Sequence, residues 1–154
     1  MIHFNIPPLT LDDSIIWQKI DNLNKPKGSL GMLETLAYRI CRIQHTLSPT
    51  LSHPCHLLFA ADHGIEQEGV SVSPRAVTWQ QMINFTQGGG GVNLFCRQHG
   101  FKLRIIDMGV DHDLSAFPAI INRKIARGTG NFRYEPAMTE AQFYQAIHTG
   151  AELV

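Results

Sequence analysis

The spacing of apolar residues predicts two helices at the start of the chain. Apolar side chains recur at helical intervals over 12–23, behind an acidic start that suits the first turn of a helix. A second apolar stripe follows a break at 24–28, and Ser29 is positioned to cap this helix. The members of that stripe are Leu30, Leu33, Leu36, Ala37, Ile40 and Ile43. The segment 1–50 is therefore predicted to be helical.

Two short apolar runs further along the chain predict strands. The first covers about 56–61 and changes abruptly to polar residues at Asp62-His63-Gly64, and the second covers 102–110. A run of four to eight apolar residues that ends in a glycine-containing turn is typical of a buried parallel strand. Helical residues between the two runs complete a βαβ unit, whose strands we expect to be parallel and whose crossover we expect to be right-handed.

The remaining elements are predicted from capping residues and breaks. Thr78 is a predicted N-cap, and the helix after it breaks at the glycines of 88–91 and resumes until Gly100. A short edge strand is expected near 122–126. Thr139 and Gln142 have the spacing of a capping box, which predicts a last helix over 139–153. The residues expected to face the core from that helix are Phe143, Ile147 and Ala151.

These elements predict an α/β fold with a parallel sheet over 51–154, after the helical segment 1–50. Doubly wound sheets normally contain more strands than this pattern supplies. We therefore expect the sheet to be incomplete, so that the chain resembles the first part of a longer fold.

Composition narrows the class of protein. The 154 residues are 44% hydrophobic and 17% charged, with 13 basic and 13 acidic side chains, so no overall field favours nucleic acid or an anionic membrane. No apolar stretch is long enough to cross a bilayer, and the N-terminus lacks the pattern of a signal peptide. The 3 cysteines are widely spaced without a CxxC pair, which predicts reduced thiols in a cytoplasmic protein. Neither a zinc site nor any other metal site is expected.

The polar segment after the first predicted strand carries the candidate chemistry. Asp62 and His63 could form an acid–base pair or part of a metal site, or Asp62 could accept backbone N–H bonds while His63 packs. Ser71, Ser73 and Gln80 are neutral hydrogen-bonding groups that suit a flat, uncharged polar ligand, although turns and helix caps also use such residues.

The glycines at 88–91 do not form a nucleotide-binding motif. No Lys-Ser or Lys-Thr follows them, as a P-loop requires, and they follow a helix rather than a strand. Close packing of a helix is the favoured interpretation, with close approach to a ligand as the alternative. No G-x-S-x-G elbow is present, which disfavours a serine hydrolase.

Several blocks, in order along the chain, resemble one enzyme family. Residues 25–34 resemble the PxGSLGxLE signature of the nicotinate-nucleotide–dimethylbenzimidazole phosphoribosyltransferase family. The segments 60–64, 68–71, 107–110, 128–132 and 136–139 match further blocks of that family in the same order. The resemblance implies a Rossmann-like α/β domain accompanied by a small helical domain, to which the N-terminal helices belong. It also implies a cytoplasmic homodimer that uses no metal or organic cofactor.

The resemblance further implies a reaction and a set of site residues. Such enzymes transfer the phosphoribosyl group of nicotinate mononucleotide to 5,6-dimethylbenzimidazole in cobalamin nucleotide-loop assembly. The azole-recognition role falls on Ser71 and Gln80, and on Ser73, where the family more often has an aromatic residue. Asp62 and His63 join them as substrate-binding candidates that shape the turn. The family's general-base glutamate is expected beyond Val154, so no catalytic residue is assigned in this chain.

Three hypotheses follow from these observations. Family members are about twice as long as this chain, so the first is a shortened phosphoribosyltransferase that is inactive alone. The second is a non-catalytic module that binds azoles or nucleotides and derives from the same family. The third and weakest is a hydrolase that uses Asp62 and His63.

Overall fold

The computed structural model describes residues 10–154 and divides into two compact units after Ser52. Positions 1–9 of the predicted helical segment lie outside the described residues. The first unit is helical, and the second is a mixed α/β unit. None of the helices within 10–154 has both the length and the apolar character needed to cross a membrane.

The helical unit contains α1 (Asp13–Asp21) and α2 (Met32–Gln44). Asp12 is the N-cap of α1, and its carboxylate accepts a 2.8 Å hydrogen bond from the Ser14 amide. The core of the helical unit consists of Ile16, Ile20 and Cys41. The rings of Trp17 and Tyr38 stack beside this core with their centres 5.0 Å apart. The two helices predicted for this segment are therefore present.

The start of α2 differs from the prediction. Ser29 does not cap the helix, because the cap position is Gly31, whose φ of 53° favours glycine. The Leu30 amide donates instead to the Glu34 carboxylate at 3.0 Å. Glu34 is 6% exposed and pairs with Lys25 at 2.9 Å. The hydrogen bond from Lys25 and that from the Leu30 amide lower the pKa of Glu34.

The predicted apolar stripe of α2 also differs from the buried face. Leu33 and Ile43 are 63% and 70% exposed, and Leu30 and Leu36 are exposed as well. Helix α2 packs on α1 through Cys41, with Ala37 beside it. One neighbouring helix covers only one side of α2, and the small side chains on that side allow close approach. Only part of the predicted stripe therefore contributes to the core of this unit.

The α/β unit contains a three-stranded parallel sheet in the order β1-β2-β3. The strands are β1 (Cys55–Ala61), β2 (Lys102–Gly109) and β3 (Ile120–Asn122). The two main strands and their parallel pairing are confirmed, and so is the α/β class with an incomplete, Rossmann-like sheet. The short third strand begins earlier than the predicted 122–126. A register shift at the end of β1 pairs Ala61 with Gly109.

Three α-helices accompany the sheet: α3 (Ala76–Thr86), α4 (Gly90–His99) and α5 (Glu140–Leu153). Gly100 ends α4 in the left-handed conformation, as predicted. Thr78 lies inside α3 and not at its cap, because the first turn begins earlier in the chain. The Val77 and Thr78 amides donate to the carbonyls of Pro74 and Arg75. The buried core of the unit consists of Met82, Ile105, Val110, Leu114 and Ile120.

Helix α5 has the predicted capping box but buries a different face. The Thr139 hydroxyl accepts from the Gln142 amide at 3.2 Å, and the Gln142 side chain accepts from the Thr139 amide at 2.8 Å. Phe143 and Ala151 are exposed, however, whereas Thr149 and Leu153 are buried. The Arg104 guanidinium donates to the Leu153 carbonyl at 3.2 Å, which helps to set this rotation of the helix.

Candidate functional site

A groove lies at the carboxyl end of β1, the end of a strand at which parallel α/β sheets bind ligands. It encloses about 360 Å³, within the range of small-molecule sites. The loop after β1 and the first turns of α3 form its walls. The lining residues are Ala61, Asp62, His63, Ile65, Glu66, Val70, Ser71, Ser73, Pro74, Arg75, Val77, Thr78 and Gln81.

Asp62 joins the two strand ends beneath the groove. Its side chain is buried and accepts a 2.7 Å hydrogen bond from the Asp111 amide. Its backbone amide donates to Gly109, and its carbonyl accepts from the Thr129 amide, each at 3.1 Å. Asp62 therefore accepts a backbone N–H at the strand end, which was one of the two interpretations of the sequence. The neighbouring His63 side chain is exposed and lies along the groove.

The loop after β1 is fastened to a turn that lies far away in sequence. A Cβ atom on Gly64 would lie 2.6 Å from backbone atoms of Thr129, Gly130 and Asn131. The carboxylate of Glu68 accepts a 2.7 Å hydrogen bond from the Asn131 side chain and also pairs with Arg133. These contacts hold the groove wall in place, and none of them was predicted. The Gly128–Asn131 turn signal and the acidic residues of the loop were visible, but not their pairing.

The two serines of the groove wall are bonded to each other. The Ser71 hydroxyl donates to the Ser73 carbonyl at 3.2 Å and accepts from the Ser73 amide at 3.1 Å. A hydroxyl has one proton and two lone pairs, so this arrangement leaves Ser71 with one lone pair. Ser71 can therefore accept a hydrogen bond from a ligand N–H group.

Of the two adjacent glutamines on α3, the one that lines the groove is Gln81. Gln80 is exposed and is not among the lining residues. Successive helical residues are about 100° apart, so Gln81 shares a face with Val77 and Thr78 while Gln80 points away from that face. The structure thus brings four of the five sequence-predicted residues to the groove: Asp62, His63, Ser71 and Ser73.

Arg75 lines the groove as a paired cation. Its guanidinium lies 3.0 Å from the Asp111 carboxylate and 3.5 Å from the Glu66 carboxylate. Two carboxylates flank one guanidinium, so the positive charge of Arg75 is already balanced. Sequence reasoning missed this cluster because Asp111 lies 36 residues from Arg75 along the chain.

The acidic residue near the end of β2 has a structural role like that of Asp62. Asp107 is 2% exposed and accepts from the Gly109 and Val110 amides at 3.0 and 2.9 Å. The Lys124 ammonium balances its charge at 3.1 Å. Both strand ends therefore use a buried carboxylate to hold backbone amides in a turn.

A second cavity, whose surface is also mostly apolar, shares part of its lining with the groove. It has a volume of about 130 Å³ and shares Ala61 and His63 with the groove. Its other lining residues come from the end of β2, the segment 125–129 and the start of α5: Met108, Gly109, Ile125, Ala126, Gly128, Thr129, Ala137, Met138, Gln142 and Ala146. The sequence pattern did not reveal this cavity.

The glycine run has a packing role between α3 and α4. A Cβ atom on Gly89 would lie 2.1 Å from the Asn84 side chain, and one on Gly90 would lie 2.7 Å from the Phe85 ring. The Asn93 side chain bridges the helices by donating to the carbonyls of Phe85 and Gly89. These contacts support the packing interpretation. Over residues 10–154, no three His, Cys, Asp or Glu side chains cluster in a way that could hold a metal ion.

Comparisons with known proteins point to one group. A sequence model of a family described as phosphoribosyltransferase matches residues 12–154. A nicotinate-nucleotide–dimethylbenzimidazole phosphoribosyltransferase from Bacteroides fragilis (strain YCH46) is 57% identical over 136 residues, covering 88% of this chain and 39% of that protein. The protein of the same name from Phocaeicola vulgatus is 54% identical over 151 residues, covering 98% and 44%.

A solved structure shares the fold at recognisable sequence identity. The crystal structure of nicotinate-nucleotide–dimethylbenzimidazole phosphoribosyltransferase from Thermus thermophilus matches with a TM-score of 0.85 and 35% identity. The match covers 91% of this chain and 42% of that one. The chain thus spans about two-fifths of the length of the curated relatives it matches.

Proposed function

The chain belongs to the nicotinate-nucleotide–dimethylbenzimidazole phosphoribosyltransferase family, and from this membership we infer that the groove after β1 recognises the azole base of that reaction. The proposed reaction transfers the phosphoribosyl group of nicotinate mononucleotide to 5,6-dimethylbenzimidazole. It yields α-ribazole 5′-phosphate and nicotinate and belongs to cobalamin nucleotide-loop assembly. By the same resemblance, the full-length protein is proposed to be a cytoplasmic homodimer.

The azole assignment rests on two polar groups of the groove, the Ser71 hydroxyl and the Arg75 guanidinium. Ser71 offers a lone pair to a ligand N–H, which a neutral benzimidazole possesses. Arg75 is balanced by Asp111 and Glu66, so it is not free to attract a carboxylate or a phosphate. A neutral heterocycle therefore suits this groove better than the anionic groups of the mononucleotide.

The chemistry requires more than recognition. A bond forms between an azole nitrogen and the anomeric carbon of the ribosyl group. The bond from that carbon to the pyridinium nitrogen breaks, and its electron pair stays on nicotinate. The azole N–H proton must pass to an acceptor. Asp62 holds the Asp111 amide, while Glu66 and Asp111 pair with Arg75, so these carboxylates are committed. We propose that this chain contributes binding and orientation, and that the proton acceptor is a glutamate outside these 154 residues.

Two adjacent glutamines allow a matched test of the azole assignment. Isothermal titration with 5,6-dimethylbenzimidazole should show saturable binding to this chain. Replacing Ser71 by Ala should weaken binding about 2- to 12-fold, since a lost hydrogen bond costs about 0.5–1.5 kcal/mol. Gln81→Ala should weaken it similarly, and Gln80→Ala should leave it unchanged. Loss with Gln80→Ala but not with Gln81→Ala would contradict the assignment of the groove.

A turnover measurement separates the shortened enzyme from the binding module. Incubation of the chain with both substrates, followed by chromatography, should detect no α-ribazole 5′-phosphate even where the base binds. Product formed by this chain alone would show that a residue within it accepts the proton. If the full-length protein forms product and this chain only binds the base, the shortened enzyme is supported. A full-length protein that binds without turnover supports the non-catalytic module.

A further inference from the structure

The Lys124 ammonium, which follows β3 in the chain, has no part in the recognition scheme above. It donates to the carbonyls of Val110 and His112, the latter at 2.7 Å, and pairs with the buried Asp107 carboxylate at 3.1 Å. An ammonium group has three protons, so these three acceptors satisfy it completely. Lys124 is therefore committed to contacts within the protein and is not free to bind a ligand.

The two carbonyls that Lys124 holds belong to the residues on either side of Asp111. With both neighbours tethered, the Asp111 backbone has little freedom to rotate. Its amide donates to the Asp62 carboxylate at 2.7 Å, and its own carboxylate pairs with the Arg75 guanidinium at 3.0 Å. Lys124 thereby fixes the position of the carboxylate that holds a groove-lining arginine.

The backbone around Lys124 is a firm anchor for this arrangement. The Arg123 amide donates to the Asp107 carbonyl at 2.9 Å, and the Ile125 amide donates to the Met108 carbonyl at 3.0 Å. Both neighbours of Lys124 are therefore bonded to β2. The Lys124 side chain is only 20% exposed, so water competes little for its hydrogen bonds. A group that positions another must itself be held in place, and these bonds hold Lys124.

The placement of Asp111 determines the charge that a ligand meets beside Arg75. With Asp111 and Glu66 both in contact, two carboxylates surround a single guanidinium. The excess of negative charge repels an anionic ligand, whereas it has little effect on a neutral azole. Without Asp111 in place, Arg75 would keep only the longer contact of 3.5 Å with Glu66 and could attract an anion.

We propose that Lys124 is a positioning residue that keeps the groove selective for neutral ligands. It does so by holding the carbonyls on both sides of Asp111, so that the Asp111 carboxylate stays on Arg75. The proposal rests on the proposed function of the groove and adds a determinant of its charge selectivity. Lys124 touches no ligand in this scheme and acts only through Asp111 and Arg75.

The test requires a variant that removes the ammonium and still folds. Replacing Lys124 alone would leave the Asp107 carboxylate buried and unpaired, which is strongly destabilising. The double variant Asp107→Asn/Lys124→Met avoids this, because an amide oxygen can still accept from the Gly109 and Val110 amides. Asp107→Asn alone is the matched control, since it keeps the ammonium on both carbonyls. Urea unfolding confirms that both proteins are folded.

Calorimetry should compare 5,6-dimethylbenzimidazole with benzimidazole-5-carboxylate, which is an anion at neutral pH. The control protein should prefer the neutral base, and the double variant should shift the affinity ratio toward the anion by about 10-fold. Asp111→Asn releases Arg75 directly, so it should produce the same shift, and combining it with the double variant should add nothing. A merely structural role would weaken both ligands equally. An unchanged ratio, or additive shifts, would overturn the positioning role.

NMR of the ligand-free protein gives a readout that does not depend on azole binding. The backbone amide signal of Asp111 and the side-chain Nε signal of Arg75 should both move in the double variant relative to Asp107→Asn. If neither signal moves, Lys124 does not position Asp111, whatever the groove binds. If no azole binds to the unchanged protein, the proposed function is refuted instead, and the two signals still decide whether Lys124 places Asp111 on Arg75.

Discussion

Gly64 provides a sharp test of how the groove wall is held. In Gly64→Ala, the new Cβ would lie 2.6 Å from Thr129 O, Gly130 C and Asn131 N. All three are backbone atoms, so no side-chain rotation relieves the contact. Overpacking of this kind costs about 1–3 kcal/mol. Displacing the Gly64 amide from the Thr129 hydroxyl adds about 1 kcal/mol, and the stiffer unfolded chain offsets about 0.4–1 kcal/mol. The expected net loss is about 1–3.5 kcal/mol of unfolding free energy.

Urea unfolding measures this loss if the fluorescent tryptophan lies in the α/β unit. Trp79 lies in the α/β unit and Trp17 in the helical unit, so a Trp17→Phe background isolates the signal of the α/β unit. The transition midpoint should fall by about 1 M at an unchanged slope. Gly150→Ala is the matched control in the interior of α5, where a Cβ meets nothing within 4 Å. It should raise stability by about 0.5–1 kcal/mol. An unchanged midpoint for Gly64→Ala would refute the close approach.

Two further predictions concern buried carboxylates. Asp62→Ala should lower the unfolding free energy by about 1–3 kcal/mol, because the Asp111 amide loses its acceptor. Asp62→Asn should lower it less, and equal losses in urea unfolding would contradict the hydrogen-bond explanation. The hydrogen bond from Lys25 lowers the pKa of Glu34. This pair therefore stabilises the helical unit at pH values above the ordinary glutamate pKa, and the stabilisation is lost as the pH falls through the lowered pKa. Glu34→Gln should flatten that acid limb of stability, followed by Trp17 fluorescence, and identical limbs in both proteins would contradict it.

The local elements were predictable because their signals lie within a few residues of one another. The apolar runs that became β1 and β2 are short and end in glycine-containing polar turns, a pattern typical of parallel strands, although every residue of β1 is exposed or half-buried. The capping box of α5 and the stop of α4 at Gly100 depend on residues within one turn. The family blocks likewise depend only on the order of residues, and they located the loop that forms the groove.

The face that each helix buries was decided by tertiary structure. Periodicity shows that α2 has an apolar stripe, but not that its contact with α1 runs through Ala37 and Cys41 while Leu33 and Ile43 stay exposed. In α5, Phe143 and Ala151 are exposed while Thr149 and Leu153 are buried. Rotation of a helix about its axis depends on what it packs against, and the sequence of the helix does not contain that information.

Packing between distant segments also decided which residues meet at the candidate site. The sequence alone predicted that the polar loop after β1 carries the chemistry and that Ser71 and Ser73 recognise the ligand, and both serines line the groove. The fold decided that Gln81 rather than Gln80 lines the groove, and that Arg75 meets Asp111, which is 36 residues away. It also brought Gly64 against the turn at 129–131 and created the apolar cavity. Such contacts depend on packing between distant segments, whereas a sequence pattern records only the preferences of neighbouring residues.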